Sequence, residues 1–323
     1  MEELHPQEWL GVLYACALFL IGLAIGSFLN VIIYRLPLGM SLFAPPSSCP
    51  LCSSRIPARY NIPLLGWLLL GGKCHVCRHP ISIRYPAVEL ATGLLWAIEG
   101  WRLAGDRFGF WPNVLIGVLE LAFLSSLVVT FLVDWDYQII LDEVSLGGLA
   151  VSLATAPLLP ALHRVDPPEL FSKFHPFLAS FFLSWPLWGS SFAVSAIGAL
   201  AGFFISLALY FLGTALCKRK IEEMRQLDPE IDSALGLGDV KLMAFYGAFL
   251  GWQGVVGVLL IASVLCSLVG SARKLLSGQS GGAGGWTGLA NRWRSGVSIV
   301  PFGPFLALGA LACLFGEWQY RVF

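Results

Sequence analysis

Four of the eight cysteines lie in one polar segment at a spacing suited to a metal ion. Cys49 and Cys52 form one C-x-x-C pair, Cys74 and Cys77 form a second, and 21 residues separate the two pairs. Such pairs either supply the four thiolates of a tetrahedral zinc site or form two disulfides. The two histidines beside the second pair are alternative ligands. Because four thiolates leave no open coordination position, we expect a structural zinc with no catalytic role.

A second group of polar side chains is acidic and lies beside long apolar segments. Two carboxyl groups held close together cannot both ionise, so one keeps a proton while the other activates a water molecule. The alternative is that these acids only mark a helix end at an aqueous boundary. Asp142 and Glu143 are predicted to stabilise the N-terminus of the helix that follows them. The acids are Asp134, Asp136, Asp142 and Glu143 in one segment, and Asp239, which follows Gly236-Leu237-Gly238.

The composition indicates that membrane helices position these side chains. Of the 323 residues, 57% are hydrophobic and 12% are charged, with 20 basic residues against 20 acidic ones. Soluble proteins have about 25% charged residues. The low charge excludes a soluble domain, a disordered chain and a basic nucleic-acid-binding face. We therefore expect a polytopic all-α membrane protein whose surroundings are the lipid bilayer, with no nucleic-acid partner.

Several apolar segments are long enough to cross the bilayer, which takes about 20 residues. Residues 9–34 carry no charge and are predicted to be a retained helix, because no cleavage site follows a basic N-terminal region. Residues 242–272 form a run of 31 uncharged residues, which is too long for one upright span. Further candidate spans lie at about 85–101, 113–133, 144–162, 190–217 and 297–316.

The basic residues predict the orientation of these spans. Of the 20 Lys and Arg residues, six lie in 35–84, five in 218–241 and four in 273–294. The positive-inside rule makes these three regions cytoplasmic. Both flanks of 242–272 are then on one side, so the chain must reverse near Gly251-Trp252-Gln253-Gly254.

The reducing cytosol also favours zinc over disulfides at the four cysteines.

This orientation predicts about eight transmembrane helices with the N-terminus outside. The first helix is residues 1–34, a small cytoplasmic zinc-binding domain occupies 35–84, and a seven-helix membrane domain occupies 85–323. The first arm of the predicted reversal is short, which brings Asp239 to the depth of Asp134 at the cytoplasmic surface.

At these positions the chain resembles the type IV prepilin peptidases, which are bifunctional leader peptidases and N-methyltransferases of pilus and type II secretion systems. The resemblance spans nearly the whole chain. It is carried by Gly26-Ser27-Phe28-Leu29-Asn30-Val31 with Arg35-Leu36-Pro37, the paired C-x-x-C loop, Arg84-Tyr85-Pro86-Ala87-Val88-Glu89-Leu90, the Asp134 segment, and Gly236-Leu237-Gly238-Asp239-Val240-Lys241-Leu242. The block Pro301-Phe302-Gly303-Pro304-Phe305 also fits.

The resemblance implies a GxGD-type intramembrane aspartyl peptidase with Asp134 and Asp239 as its catalytic residues. Asp136 is the main competitor for the first role and is predicted to be a supporting acid. Leu141 stands where the family has a proline before Asp142, a departure that affects how the next helix begins.

The implied substrates are prepilins or pseudopilins with a short basic leader, cut at the cytoplasmic face of the bacterial inner membrane. The resemblance also implies methylation of the new N-terminus with S-adenosylmethionine. No glycine-rich nucleotide motif supports that activity, because the glycines of 278–288 are typical of a linker, so its cofactor-binding residues are unassigned. Acids predicted to face a basic leader are Glu222, Glu223, Asp228, Glu230 and Asp232.

Two other classes of protein compete with this interpretation. A secondary transporter or channel also uses paired intramembrane acids and broken helices. No internal repeat supports it, and the acids here cluster at one membrane face instead of the midplane. A methyltransferase without peptidase activity is the other alternative, and it leaves the two aspartates without a role.

Overall fold

Helices form nearly all the regular structure of the described residues, which contain no β-strand. The computed structural model describes residues 6–44, 46–104, 110–158, 187–226, 233, 235–277 and 301–316. The α-helices are α1 Pro6–Arg35, α2 Leu65–Leu69, α3 Arg84–Leu103, α4 Phe110–Tyr137, α5 Asp142–Thr155, α6 Leu187–Leu216, α7 Lys218–Arg225, α8 Leu237–Ser277 and α9 Gly303–Phe315. The predicted all-α class is confirmed for these residues, and the predicted linker 278–288 lies outside them.

Four helical segments are long and apolar enough to cross a membrane. They are Glu8–Leu38, Val114–Tyr137, Ser191–Leu216 and Leu237–Ala272, and α9 is a shorter apolar helix. The membrane character is thus present in the described residues, while the number of eight spans stays a prediction. The chain divides into two compact units, Met1–Val129 and Thr130–Phe323, with the boundary inside α4.

In the first unit, α1 and α3 pack side by side in opposite directions. Small residues allow the close approach: a Cβ on Gly26 would lie 2.7 Å from the Cα of Glu89, and one on Gly11 would lie 3.0 Å from the ring of Trp101. At the end of the pair that contains Gly26 and Glu89, Asn30 Nδ2 donates a hydrogen bond of 3.1 Å to the Tyr85 carbonyl oxygen. The end of α1 and the start of α3 therefore lie at the same level.

In the second unit, α8 is broken at Gly251, whose φ of 75° and ψ of 174° suit only glycine. A Cβ on Gly247 would lie 2.9 Å from Cγ2 of Val255. Eight residues along a straight helix span about 12 Å, so the chain must turn back at the break. The reversal predicted from the basic flanks is thus present within the predicted segment.

The two arms of α8 pack against different helices. Ser195 Oγ in α6 donates to the carbonyl oxygen of Ala248 in the first arm at 2.8 Å. Gly309 in α9 lies against Val258 in the second arm, where an added Cβ would lie 2.7 Å from the carbonyl oxygen. These contacts hold the first arm of α8 and the middle of α9, and the first turns of these two helices carry the site described next.

Candidate active site

Asp134 lies in the last turns of α4 and is only 6% exposed. Its Oδ2 accepts a hydrogen bond of 2.9 Å from the backbone N–H of Gly303, the first residue of α9. The backbone carbonyl of Asp134 accepts from the N–H of Gln138 at 3.0 Å, and Gln138 has a left-handed φ of 56°. The helix therefore ends just beyond Asp134, which leaves its carboxyl group at the boundary of the apolar segment.

Gly303 can approach Asp134 only because it has no side chain. A Cβ at this position would lie 2.6 Å from Asp134 Oδ2 and 3.0 Å from Cδ1 of Ile140. Real Cβ atoms are essentially never found that close to another heavy atom. The N–H donor and the absence of a side chain together hold one carboxyl oxygen of Asp134 in place.

Asp239 lies in the first turn of α8 and is 8% exposed. Its Oδ2 accepts a hydrogen bond of 3.2 Å from the N–H of Gly236, and its own N–H donates to the Gly236 carbonyl oxygen at 3.1 Å. The reciprocal pair satisfies backbone groups that a helix start leaves open. It also holds one carboxyl oxygen of Asp239, as Gly303 does for Asp134.

The structure brings the two predicted catalytic carboxyl groups into one site. Asp134 is close enough to Asp239 for the charge of one carboxyl group to act on the other. The side chain of Ile140 lies between the backbone next to Asp239 and the backbone next to Asp134. A Cβ on Gly238, beside Asp239, would lie 2.8 Å from the Cβ of Ile140. The Cδ1 atom of the same side chain lies against Gly303. Within the described residues, no hydrogen bond joins Oδ1 of either carboxyl group to the protein. Each acid therefore has one fixed oxygen and one available oxygen.

The neighbouring acids occupy other positions. Asp136 is half-buried, and because it follows Asp134 by two residues it projects about 200° around the helix from it. Asp142 and Glu143 lie in the first turn of α5, where the helix dipole favours acids, as the sequence predicted. Neither provides a side-chain cap, because the N-cap residue is Leu141 and it makes no such bond.

Asp142 has a further partner that the sequence did not indicate. Lys241 Nζ lies 2.7 Å from its Oδ1 and 3.0 Å from its Oδ2. The pair is partly exposed and joins the start of α5 to the first turn of α8. It therefore connects the segment after Asp134 to the segment that carries Asp239.

The four predicted metal-binding cysteines come together in the first unit. Their sulfur atoms all lie within 4.8 Å of one another, with Cys49 and Cys77 at 3.8 Å and Cys52 and Cys74 at 3.9 Å. These separations exceed the S–S bond length of about 2.05 Å, and all four thiols are free. Four thiolates about 2.3 Å from a tetrahedral zinc ion lie about 3.8 Å apart, so the arrangement fits a metal.

Each cysteine pair lies in a tight turn closed by an isolated antiparallel bridge. One bridge joins Ser48 to Arg55 and the other joins Lys73 to Pro80. Within the second turn, the backbone N–H groups of Val76 and Cys77 lower the pKa of the Cys74 thiol to about 5. A thiolate is the form that binds metal, so these hydrogen bonds favour Cys74 as a ligand.

The neighbouring histidines are not part of the cysteine cluster. Within the described residues, the candidate metal group contains the four cysteines alone. The ring of His75 instead lies 5.9 Å from the ring of Tyr60. Four thiolates therefore complete the candidate shell without a histidine.

The acids predicted to face a leader are only partly described. Glu222 and Glu223 lie on α7, and Glu223 pairs with Arg219 at 3.6 Å on an exposed surface. Asp228, Glu230 and Asp232 lie outside the described residues. Their role stays a prediction.

Comparison with known proteins gives the family. Residues 20–103 match the bacterial peptidase A24 N-terminal domain, and residues 121–271 match the type IV leader peptidase family. No solved structure matches the chain.

Curated relatives are similar over most of the chain and carry the name prepilin leader peptidase/N-methyltransferase. The relative from Klebsiella pneumoniae is 37% identical over 258 residues, which is 78% of this chain and 91% of the relative. The relative from Aeromonas hydrophila is 31% identical over 347 residues, with coverage of 98% and 95%. The relative from Myxococcus xanthus is 35% identical over 273 residues, with coverage of 84% and 67%. The predicted family is confirmed: this chain belongs to the type IV leader peptidase family.

Proposed function

We propose that this protein removes the leader from prepilins or pseudopilins with a water molecule activated jointly by Asp134 and Asp239. The observation that carries the proposal is the pair of buried carboxyl groups on separate helices, each held through Oδ2 by one backbone N–H. The family match supports the same activity. The curated relatives are named for leader removal and N-methylation.

The reaction requires one ionised and one protonated carboxyl group. The ionised group accepts a proton from water, and the water oxygen bonds to the carbonyl carbon of the scissile peptide. The other group gives its proton to the carbonyl oxygen. When the tetrahedral gem-diol collapses, the C–N bond breaks and the amine nitrogen takes the proton that the first carboxyl group had accepted from water. One hydroxyl of the gem-diol gives its proton to the second carboxyl group, so the dyad again has one ionised and one protonated member.

The two backbone N–H groups serve as positioning donors in this scheme. Each bond to Oδ2 fixes the rotation of a carboxyl group and leaves Oδ1 to hold the water or the shared proton. Because Gly236 and Gly303 are backbone donors, they cannot compete for the transferred proton. Fixed geometry of this kind lowers the barrier without new chemistry.

The membrane arrangement of the proposal follows the charge distribution. The protein lies in the bacterial inner membrane with eight spans and its N-terminus outside, and cleavage takes place at the cytoplasmic face. The division into a first helix, a 35–84 zinc domain and an 85–323 membrane domain belongs to the same proposal. The substrate has a short basic leader and an apolar helix that stays in the bilayer.

Two cofactors belong to the proposal. The sulfur separations support a structural zinc ion held by Cys49, Cys52, Cys74 and Cys77. S-adenosylmethionine would supply the methyl group for the new N-terminal amine, as the names of the relatives suggest. No residue of this chain is assigned to that second step.

Mass measurement of a co-expressed prepilin tests both activities, because leader loss and methylation are separate mass changes. The wild-type protein should produce both changes. Asp239→Asn should leave the prepilin uncut while the protein accumulates in the membrane, and Asp136→Asn, on another face of α4, should still cut it. Full cleavage by a folded Asp239→Asn protein would rule the proposal out.

A further inference from the structure

The zinc-binding segment carries a short helix whose apolar face is unpartnered within the described residues. Three leucines of α2 are exposed: Leu65 by 53%, Leu68 by 63% and Leu69 by 69%. They share one side of the helix, because residues three and four apart are neighbours on its surface. The opposite side is packed, since Gly66 is buried and Trp67 Nε1 donates to the Ile81 carbonyl oxygen at 3.1 Å.

A hydrogen bond fixes the level of this helix along α3. The N–H of Leu64 donates to Glu89 Oε2 at 2.7 Å, and Glu89 is buried. Glu89 follows Arg84, the first residue of α3, by five residues, which is about 7.5 Å along the helix. Leu64 adopts a φ of 59° to make this contact, a conformation that a non-glycine residue rarely takes.

Glu89 lies well inside the end of the antiparallel pair formed by α1 and α3. It packs on Gly26 of α1, nine residues before Arg35 and about 13 Å from that end of the helix. Because α1 is long and apolar enough to cross a membrane, we place its antiparallel neighbour α3 beside it in the bilayer. The headgroup layer on each side of a bilayer is about 5–7 Å thick. The start of α2 therefore lies at the depth of the headgroups or below them.

The backbone of α2 is suited to that depth. The first N–H groups of a helix normally need water or a cap. Here the N–H of Leu64 is bonded to Glu89, that of Leu65 to the Pro63 carbonyl at 2.6 Å, and that of Gly66 to the Ile62 carbonyl at 2.7 Å. Internal satisfaction of backbone donors is what a low-water environment demands.

The charge of the surrounding segment matches a bilayer surface. Residues 35–84 contain six Lys and Arg residues and no Asp or Glu. Anionic headgroups attract such segments when they lie within a Debye length of the surface. Both ends of this segment continue into α1 and α3, so it is held close to the membrane.

We infer that α2 is a lipid anchor: Leu65, Leu68 and Leu69 enter the bilayer at its cytoplasmic boundary, and Glu89 sets their depth. The zinc-binding segment is then held flat on the membrane by an inserted apolar face and by basic residues around it. This role is separate from peptide cleavage and does not depend on the aspartate site.

The test uses the full chain with its zinc, reconstituted in nanodiscs of phosphatidylethanolamine and phosphatidylglycerol. An environment-sensitive fluorescent amino acid replaces Leu68 in one protein and Leu51 in another. Leu51 is the matched control, because it is also 63% exposed but lies in the first cysteine turn and not on α2. Fluorescence is quenched either by nitroxide-labelled lipid or by aqueous iodide.

At position 68 we expect lipid nitroxide to quench several-fold more than iodide does, and at position 51 we expect the reverse order. Glu89→Leu should reduce lipid quenching at position 68, while Glu89→Gln, which keeps an oxygen acceptor for the Leu64 N–H, should preserve it. Iodide-dominated quenching at position 68 would overturn the proposal. Protection from both quenchers there would also overturn it, because a protein partner and not lipid would then cover the leucines.

Discussion

The cysteine site and the aspartate site of this protein are assembled over very different lengths of chain. The four cysteines lie within one loop, and each pair is shaped by a turn that its own neighbours close. The aspartate site joins the end of α4, the start of α8 and the start of α9, and Gly303 is 169 residues from the carboxyl group it contacts. A local site depends on its own turn, whereas a distributed site depends on the packing of every helix that contributes.

The largest difference between the two sites is expected from Gly303→Ala. The added methyl group would collide with Asp134 Oδ2, and a shift of about 1 Å at a catalytic group costs on the order of 10²-fold in rate. Leader removal, measured with purified protein and a prepilin, should fall by about that factor while zinc content stays unchanged. Gly147→Ala is the control, because nothing lies within 4 Å of a Cβ there. Equal activity of the two variants would contradict the role assigned to Gly303.

Cys74→Ser should produce the opposite pattern. Loss of one thiolate breaks a four-ligand shell and should remove most of the bound zinc, measured by metal analysis of the purified protein. Cys16→Ser, outside the cluster, should keep the metal. Leader removal should fall less than in Gly303→Ala, because the cysteines and the two aspartates belong to separate compact units. A Cys74→Ser protein with full zinc content would contradict the proposed site.

Gly251→Ala should destabilise the chain reversal in α8, whose first arm carries Asp239, without changing a residue of either site. A side chain at a φ of 75° and ψ of 174° is strained by about 1–3 kcal/mol. The midpoint of thermal unfolding in detergent should therefore fall. Gly270→Ala in the other arm of α8 should not lower it, since a Cβ there meets nothing within 4 Å. An unchanged midpoint for Gly251→Ala would argue against the reversal.

The smallest effect is expected at the ion pair between Asp142 and Lys241. Both side chains are partly exposed, and such pairs contribute about 1 kcal/mol or less. Lys241→Asp should slow leader removal by no more than about fivefold, and adding Asp142→Lys should restore part of the rate. If the reversed pair is slower than the single variant, the pair does not align α5 with α8.

Sequence patterns predicted the local features well. The C-x-x-C spacing indicated which thiols meet, and the basic flanks of 242–272 indicated the reversal at Gly251. The Asp134 and Asp239 segments were also recognised as one site, although their catalytic role stays a proposal. The number of spans and the division at residues 34 and 84 are likewise still predictions.

The contacts that sequence reasoning missed are long-range and involve groups without a chemical signature. The N–H of Gly303 is a backbone donor, and only the block Pro301-Phe302-Gly303-Pro304-Phe305 pointed to that region. Asp142 was expected to act at its own helix start, and its bond to Lys241 appears only when α5 and α8 are packed together. The same holds for Glu89, whose partner is the strained backbone of Leu64.

The central claim is that Asp134 and Asp239 act as one unit on one water molecule. The most direct measurement compares the rate of leader removal for Asp134→Asn, Asp239→Asn and the double variant. The effects of substituting residues that act together are strongly non-additive. Loss of general acid–base catalysis lowers the rate by about 10²–10⁴-fold. We predict that all three proteins fall to the same residual rate. Losses that multiply in the double variant, or substantial activity in either single variant, would contradict the shared mechanism.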